Sequence, residues 1–181
     1  FQMTFAAITP GLMIGAWVDR ARFSWVVVFT GLWSLVVYAP VAHWVWGGGW
    51  LGQMGVLDFA GGIVVHTTAG VSALIVALLL GRRQGFPTHA LIPHAPWLTL
   101  IGAMLLWVGW FGFNGGSALT ASDNAASAII NTHAAAVAAA LVWIAIERVT
   151  FGKPTTVGFA TGAIAGLATV TPAAGYISPG T

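Results

Sequence analysis

Long apolar stretches alternate along the chain with short breaks rich in charge, glycine or proline. A helix needs about 20 apolar residues to cross a bilayer. Stretches near residues 1–18, 23–42, 58–80, 97–117, 124–146 and 156–174 meet that length. The breaks are physical ones: Asp19-Arg20, Gly47-Gly48-Gly49, Arg82-Arg83 with Pro87, Gly115-Gly116, and Gly152-Lys153-Pro154. The pattern predicts an all-α protein, a polytopic transmembrane helical bundle of six spans within one membrane domain covering residues 1–181.

Charge gives this bundle a direction. Arg20 and Arg22 fall between the first two spans, Arg82 and Arg83 between the third and fourth, and Arg148 and Lys153 between the fifth and sixth. The other two loops, 43–57 and 115–123, hold no Lys or Arg. The positive-inside rule makes the basic side cytoplasmic and puts Phe1 on the extracytoplasmic side. Composition agrees: 58% of the 181 residues are hydrophobic and 6% charged, against about 25% charged in soluble domains. The 24 glycines and 10 tryptophans suit transmembrane helices and their ends. The absence of cysteine excludes a disulfide framework and a thiolate metal site. A net charge of +2 on scattered residues argues against a nucleic-acid partner. The chain opens on Phe1 inside an apolar stretch and shows no signal peptide, so it reads as an internal segment of a longer protein.

Several residues stand out within the spans. Gly62, His66 and Gly70 are four apart and share a face of an α-helix, with glycines that let a neighbouring helix approach. An ionisable residue inside a span is a functional candidate by default; the alternative for His66 is a core histidine satisfied by a nearby backbone or hydroxyl group. Asp58 precedes the third apolar run, where a carboxylate suits a helix start, and a structural role is favoured over direct attraction of a cation. Trp110, Phe113, Asn114 and Ser117 follow helical spacing on one face, and Phe1 and Phe5 follow it on another. Trp44 and Trp50 read as an interfacial belt. For Trp46, Phe5 and Phe113 a belt and a cation–π site, worth about 0.5–2 kcal/mol per contact, both stay open. His43 reads as an interfacial polar residue, His133 as a buried hydrogen-bonding one, and His89 and His94 lack a third ligand for a metal. No HExxH motif, phosphate loop or Ser-His-carboxylate grouping is present, so an enzyme is not expected, and neither is a cofactor.

These same residues carry a resemblance. Asp58-Phe59-Ala60-Gly61-Gly62 through His66, Trp110-Phe111-Gly112-Phe113-Asn114-Gly115-Gly116-Ser117, Ala42-His43-Trp44-Val45-Trp46-Gly47-Gly48-Gly49, Asn131-Thr132, and Gly166 through Gly175 together resemble the ammonium transporter family. The resemblance implies the transporter branch of the Amt/Mep/Rh superfamily, an eleven-helix fold of two inverted halves assembled as a homotrimer, with this chain as helices three to eight. Thr9-Pro10 and Thr171-Pro172 are a faint trace of that inversion.

It also implies roles. Trp46 and Ser117, with Phe1 and Phe5, would bind ammonium at an outer site. Phe5 and Phe113 would form the gate, Trp110 and His66 would line the pore, and Asp58 would support the site from behind. Ammonium would be deprotonated and cross as ammonia through a hydrophobic pore. The implied location is the plasma or inner membrane, with a PII-type regulatory protein as a partner for the cytoplasmic loops. Asp19 stands where the family usually has Glu, and His133 where an apolar residue is expected; the second pore histidine would lie beyond Thr181. A Rhesus-type ammonia gas channel is the alternative, disfavoured by Trp46, and a transporter-like ammonium sensor is a second.

Overall fold

A computed structural model describes residues 1–89 and 92–179, and among these every regular element is helical. The chain divides into two compact units, Phe1–Ile92 and Pro93–Thr181.

The first unit begins with α1 (Gln2–Gly11) and the single turn α2 (Ile14–Trp17). The stretch expected as one span is therefore broken near residue 12, just after Pro10, which has no N–H to continue the ladder. α3 (Phe23–Trp33), a π-helical turn Ser34–Tyr38 and α4 (Ala39–Trp46) follow without interruption. The helix outruns the expected end near residue 42 because Ala42–Trp46 holds no breaker; the glycine run at 47–49 stops it, and α5 (Trp50–Gln53) is a short turn beyond. A π-helical turn Gly62–Thr67 leads into α6 (Thr68–Leu80), which ends at Gly81, φ 77°. Two polar ties hold these helices together. Trp33 Nε1 donates to Ser72 Oγ at 2.9 Å. The Arg20 guanidinium donates to the carbonyls of Ala16, Ala77 and Gly81, satisfying acceptors that the end of α6 leaves open.

The second unit contains α7 (Pro96–Trp110), a π-helical turn Phe111–Gly115, a 3-10 turn Gly116–Ala118, α8 (Asp123–Phe151) and α9 (Thr156–Val170). Ser122 caps α8, and Gly152, in the left-handed region at φ 78°, ends it. Glu147 accepts from the Thr155 amide at 2.7 Å, while Thr155 Oγ1 accepts from Gly158 N at 2.9 Å, so the end of α8 and the start of α9 share one polar knot. Along their length α8 and α9 meet through small residues: a Cβ on Gly162 would lie 2.6 Å from Trp143 Cβ and 2.9 Å from the Ala139 carbonyl. Trp110, Ala136 and Leu167 form a buried cluster, with Trp107, Phe113, Ile164 and Ala168 packed against it.

Large apolar side chains point outward. Leu35 is 72% exposed, Leu79 81%, Leu105 70% and Val149 87%. Water would not tolerate such continuous surfaces, and lipid does. Phe23–Gln53, Gly62–Leu80, Pro96–Ala118 and Asp123–Phe151 are long and apolar enough to cross a membrane, and α9 is a shorter apolar helix. The protein is a multi-pass membrane protein.

Candidate functional site

In the first unit the site is built around Asp58, which is 5% exposed. One carboxylate oxygen accepts from the amides of Gly61 and Gly62 at 2.9 and 2.6 Å, the other from Ile63 and Val64 at 2.8 and 3.0 Å. These amides lie three to six residues ahead, further than an ordinary N-cap reaches. The whole carboxylate is thus consumed in closing the start of a helix whose first amides would otherwise be orphans. Gly61 makes the closure sterically feasible. It sits at φ 100°, and a Cβ there would meet Val65 Cγ2 at 2.7 Å and the Trp46 ring at 3.2 Å.

The same loop fixes an aromatic group. Trp46 Nε1 donates to the Asp58 carbonyl at 2.8 Å. Phe5, 2% exposed, meets the Trp46 ring edge-on at 5.8 Å and 89°, and Phe1 meets Phe5 at 4.9 Å and 65°. Phe1 is 56% exposed, so the trio runs from the surface to the interior. A cleft of about 310 Å³ opens beside Trp46, lined also by Gln2, Tyr38, Ala42, His43 and Gly47.

His66 lies half-buried in the π-helical turn. Its amide donates to Gly61 O at 3.0 Å, and Thr67 Oγ1 donates to Gly62 O at 2.9 Å, both spanning five residues. These five-residue bonds widen the turn in which Gly62 and His66 lie.

In the second unit Trp110 is 5% exposed and its Nε1 donates to Thr171 Oγ1 at 2.9 Å. Its ring lies 5.4 Å from Phe113. Asn114, fully buried, donates to Thr132 Oγ1 at 2.8 Å, and Ser117 Oγ donates to the Phe113 carbonyl at 2.7 Å. Asn131 Nδ2 donates to the carbonyls of Ala174 and Ile177, pinning the turn after α9. Sequence reasoning did not single out Thr171 as the partner of Trp110 or pair Asn114 with Thr132. The Thr-Pro recurrence was the one signal. Thr9 and Thr171 are both fully buried, and each donates to the carbonyl four residues earlier, Phe5 and Leu167.

The other singled-out residues are elsewhere. Trp44 and Trp50 pack at 6.0 Å with 39% and 54% exposure. His133 is exposed rather than buried, with its ring 5.5 Å from Trp107 and 6.0 Å from Phe111. His89 contacts Thr88 in a loop, and His94 is exposed. Among the described residues no three His, Cys, Asp or Glu side chains gather into a metal site.

The sequence profile of the Ammonium Transporter Family matches residues 1–181. The ammonium transporter Amt1 of Archaeoglobus fulgidus is 52% identical over 177 residues, covering 98% of this chain and 45% of that protein. The ammonium transporter of Bacillus subtilis is 51% identical over 179 residues, covering 99% and 44%. The crystal structure of Saccharomyces cerevisiae Mep2 superposes with a TM-score of 0.90 at 44% identity, covering 98% of this chain and 42% of that one. A structure described as a sensor Amt protein superposes with a TM-score of 0.92 at 32% identity, covering 99% and 47%. The chain spans less than half the length of each of these relatives.

Proposed function

This chain belongs to the ammonium transporter family, and from that premise we propose that its protein carries ammonium or ammonia across a cell membrane. The observation that carries the proposal is the rigid Phe1–Phe5–Trp46 group, tied through Trp46 Nε1 to the Asp58 loop that closes the helix bearing His66. Aromatic faces attract a cation, and their fixed mutual angles mean that little ordering is needed on binding.

In this proposal Trp46, Phe1 and Phe5, with Ser117, recruit ammonium. Phe5 and Phe113 gate the way inward, and Trp110 and His66 line it. Cation–π contacts offset only part of the cost of taking ammonium out of water. The cation would therefore give up a proton below the recruitment site and cross as ammonia, and His66 would accept a hydrogen bond from ammonia or relay the proton. Asp58 is a positioning residue, since all its carboxylate lone pairs used here face backbone amides. The protein would work as a homotrimer in the plasma or inner membrane, with the basic loops inside, where a PII-type regulatory protein would dock.

The test uses the full-length protein in liposomes, with the current evoked by an ammonium pulse recorded for wild type and His66→Ala. A wild-type current that falls or loses selectivity over potassium in the variant supports the proposal. A potassium current equal to the ammonium current overturns the deprotonation step, because potassium has no proton to lose. Ammonia flux without current identifies a neutral gas channel. A well-folded protein giving neither signal favours a sensor, the second reading raised by the similarity to the sensor Amt protein.

A further inference from the structure

α1 carries a proline near its end, at Pro10. Proline has no N–H to donate and its ring crowds the carbonyl four residues back, so a helix bends there. The residue before it adds to the bend. Thr9 is fully buried and its hydroxyl donates to the Phe5 carbonyl at 2.5 Å; a threonine bonded four residues back often bends its helix. Thr161 and Thr169 make the same kind of bond, to Val157 and Ala165, but at exposed positions of α9 with no proline beside them. Thr171 is the close parallel. It is fully buried and precedes Pro172, it donates to the Leu167 carbonyl at 2.7 Å, and it accepts from the Trp110 indole at 2.9 Å. In the second unit, then, a buried hydroxyl before a proline fixes an aromatic side chain.

In the first unit the bonded carbonyl belongs to an aromatic residue of the Trp46 group. Phe5 is 2% exposed and meets two rings, Phe1 at 4.9 Å and Trp46 edge-on at 5.8 Å. Its helix also packs on the π-helical turns Ser34–Tyr38 and Gly62–Thr67, the second of which bears His66. We propose that Thr9 is a positioning residue for ammonium recruitment: its hydroxyl, with Pro10, sets the bend of α1 and so the angle at which the Phe5 ring meets Trp46. It acts through the Phe5 backbone. The inference rests on the reading of Phe5 and Trp46 as part of the recruitment site. Aromatic faces already held at a fixed angle bind a cation with little ordering cost, and a Phe5 released from Thr9 would incur that cost with every ammonium bound.

The experiment uses the full-length protein in liposomes and follows ammonium-evoked current or internal pH over a series of ammonium concentrations. This separates the half-saturating concentration from the maximal rate. Thr9→Val keeps the shape of the side chain and removes the hydroxyl. It should raise the half-saturating concentration about fivefold, the scale of one hydrogen bond. Thr9→Ser, which keeps the hydroxyl, should stay close to wild type, and so should Thr169→Val, which deletes an exposed bond of the same kind. Pro10→Ala returns an N–H to the helix and leaves Thr9 in place; it should shift the half-saturating concentration as Thr9→Val does, and it carries the test alone if Thr9→Val does not fold. A Thr9 that only stabilises the fold would lower the maximal rate at an unchanged half-saturating concentration, and that result in both variants overturns the proposal. An equal shift in Thr169→Val overturns it too, because any back-bonded threonine would then serve. Wild-type vesicles without any ammonium signal would remove the transport reading itself, and this assignment with it.

Discussion

Asp58 shows how much one side chain can settle. Four backbone donors converge on its carboxylate in a setting that water does not reach. Asp58→Asn keeps one acceptor oxygen and turns an amide donor toward two N–H groups. Each buried donor left unmet costs about 1–3 kcal/mol, so the variant, with two unmet, should lose roughly 2–6 kcal/mol and melt well below wild type in detergent. An unchanged Tm would mean that the loop finds other acceptors and that Asp58 matters for something besides its closure. Trp110 and Thr171 permit a sharper test. Trp110→Phe and Thr171→Val remove opposite ends of one hydrogen bond, so a double-mutant cycle should return a coupling of about 1 kcal/mol. The two residues differ in how far sequence exposes them. Asp58 announces itself as the carboxylate before an apolar run. Thr171 stands 61 positions from Trp110, and no local pattern links them.

Helices were legible wherever long apolar runs met glycine, proline or charge, since those breakers act locally. What sequence did not reveal is the π-helical turns at Ser34–Tyr38, Gly62–Thr67 and Phe111–Gly115. A wide turn depends on tertiary partners such as the Asp58 carboxylate and the Asn114–Thr132 bond, and its amino acids look like those of any apolar helix. Close neighbours such as Trp110 and Phe113, expected on one face, still meet beside such a turn. Gly112 offers a test, because a Cβ there meets nothing within 4 Å. Gly112→Ala should leave folding and transport intact. Deleting Gly112 should remove the wide turn and rotate Phe113 and Asn114 by about 100° relative to Trp110; the protein should still insert, and ammonium flux should be lost. Retained flux would show that the wide turn is dispensable. Between elements, the close approach of α8 and α9 rests on Gly162. Gly162→Val should separate them and sharply reduce the yield of folded protein by size-exclusion chromatography, whereas Gly109→Ala, with open space around it, should not.

For the whole molecule, orientation decides what the proposed transport would accomplish, because the aromatic group would favour capture from outside only if its side faces out. Orientation is set by the bias of Lys and Arg in short loops. In this chain the bias is complete: the loops around residues 20, 82 and 150 hold all six basic residues, and 43–57 holds none. The chain also contains no cysteine, so each introduced thiol within it reports a single place. Met54, 73% exposed, and Phe86, 63% exposed, sit in loops of opposite expected side. In intact cells a membrane-impermeant maleimide should label Met54→Cys, and should label Phe86→Cys only after permeabilisation. The Trp46 group would then open outward and the arginine-rich loops would face the anionic inner leaflet and any cytoplasmic regulator. The reverse labelling would put the aromatic group inside. Capture from outside would then be untenable, and the arginines would need another explanation than leaflet charge.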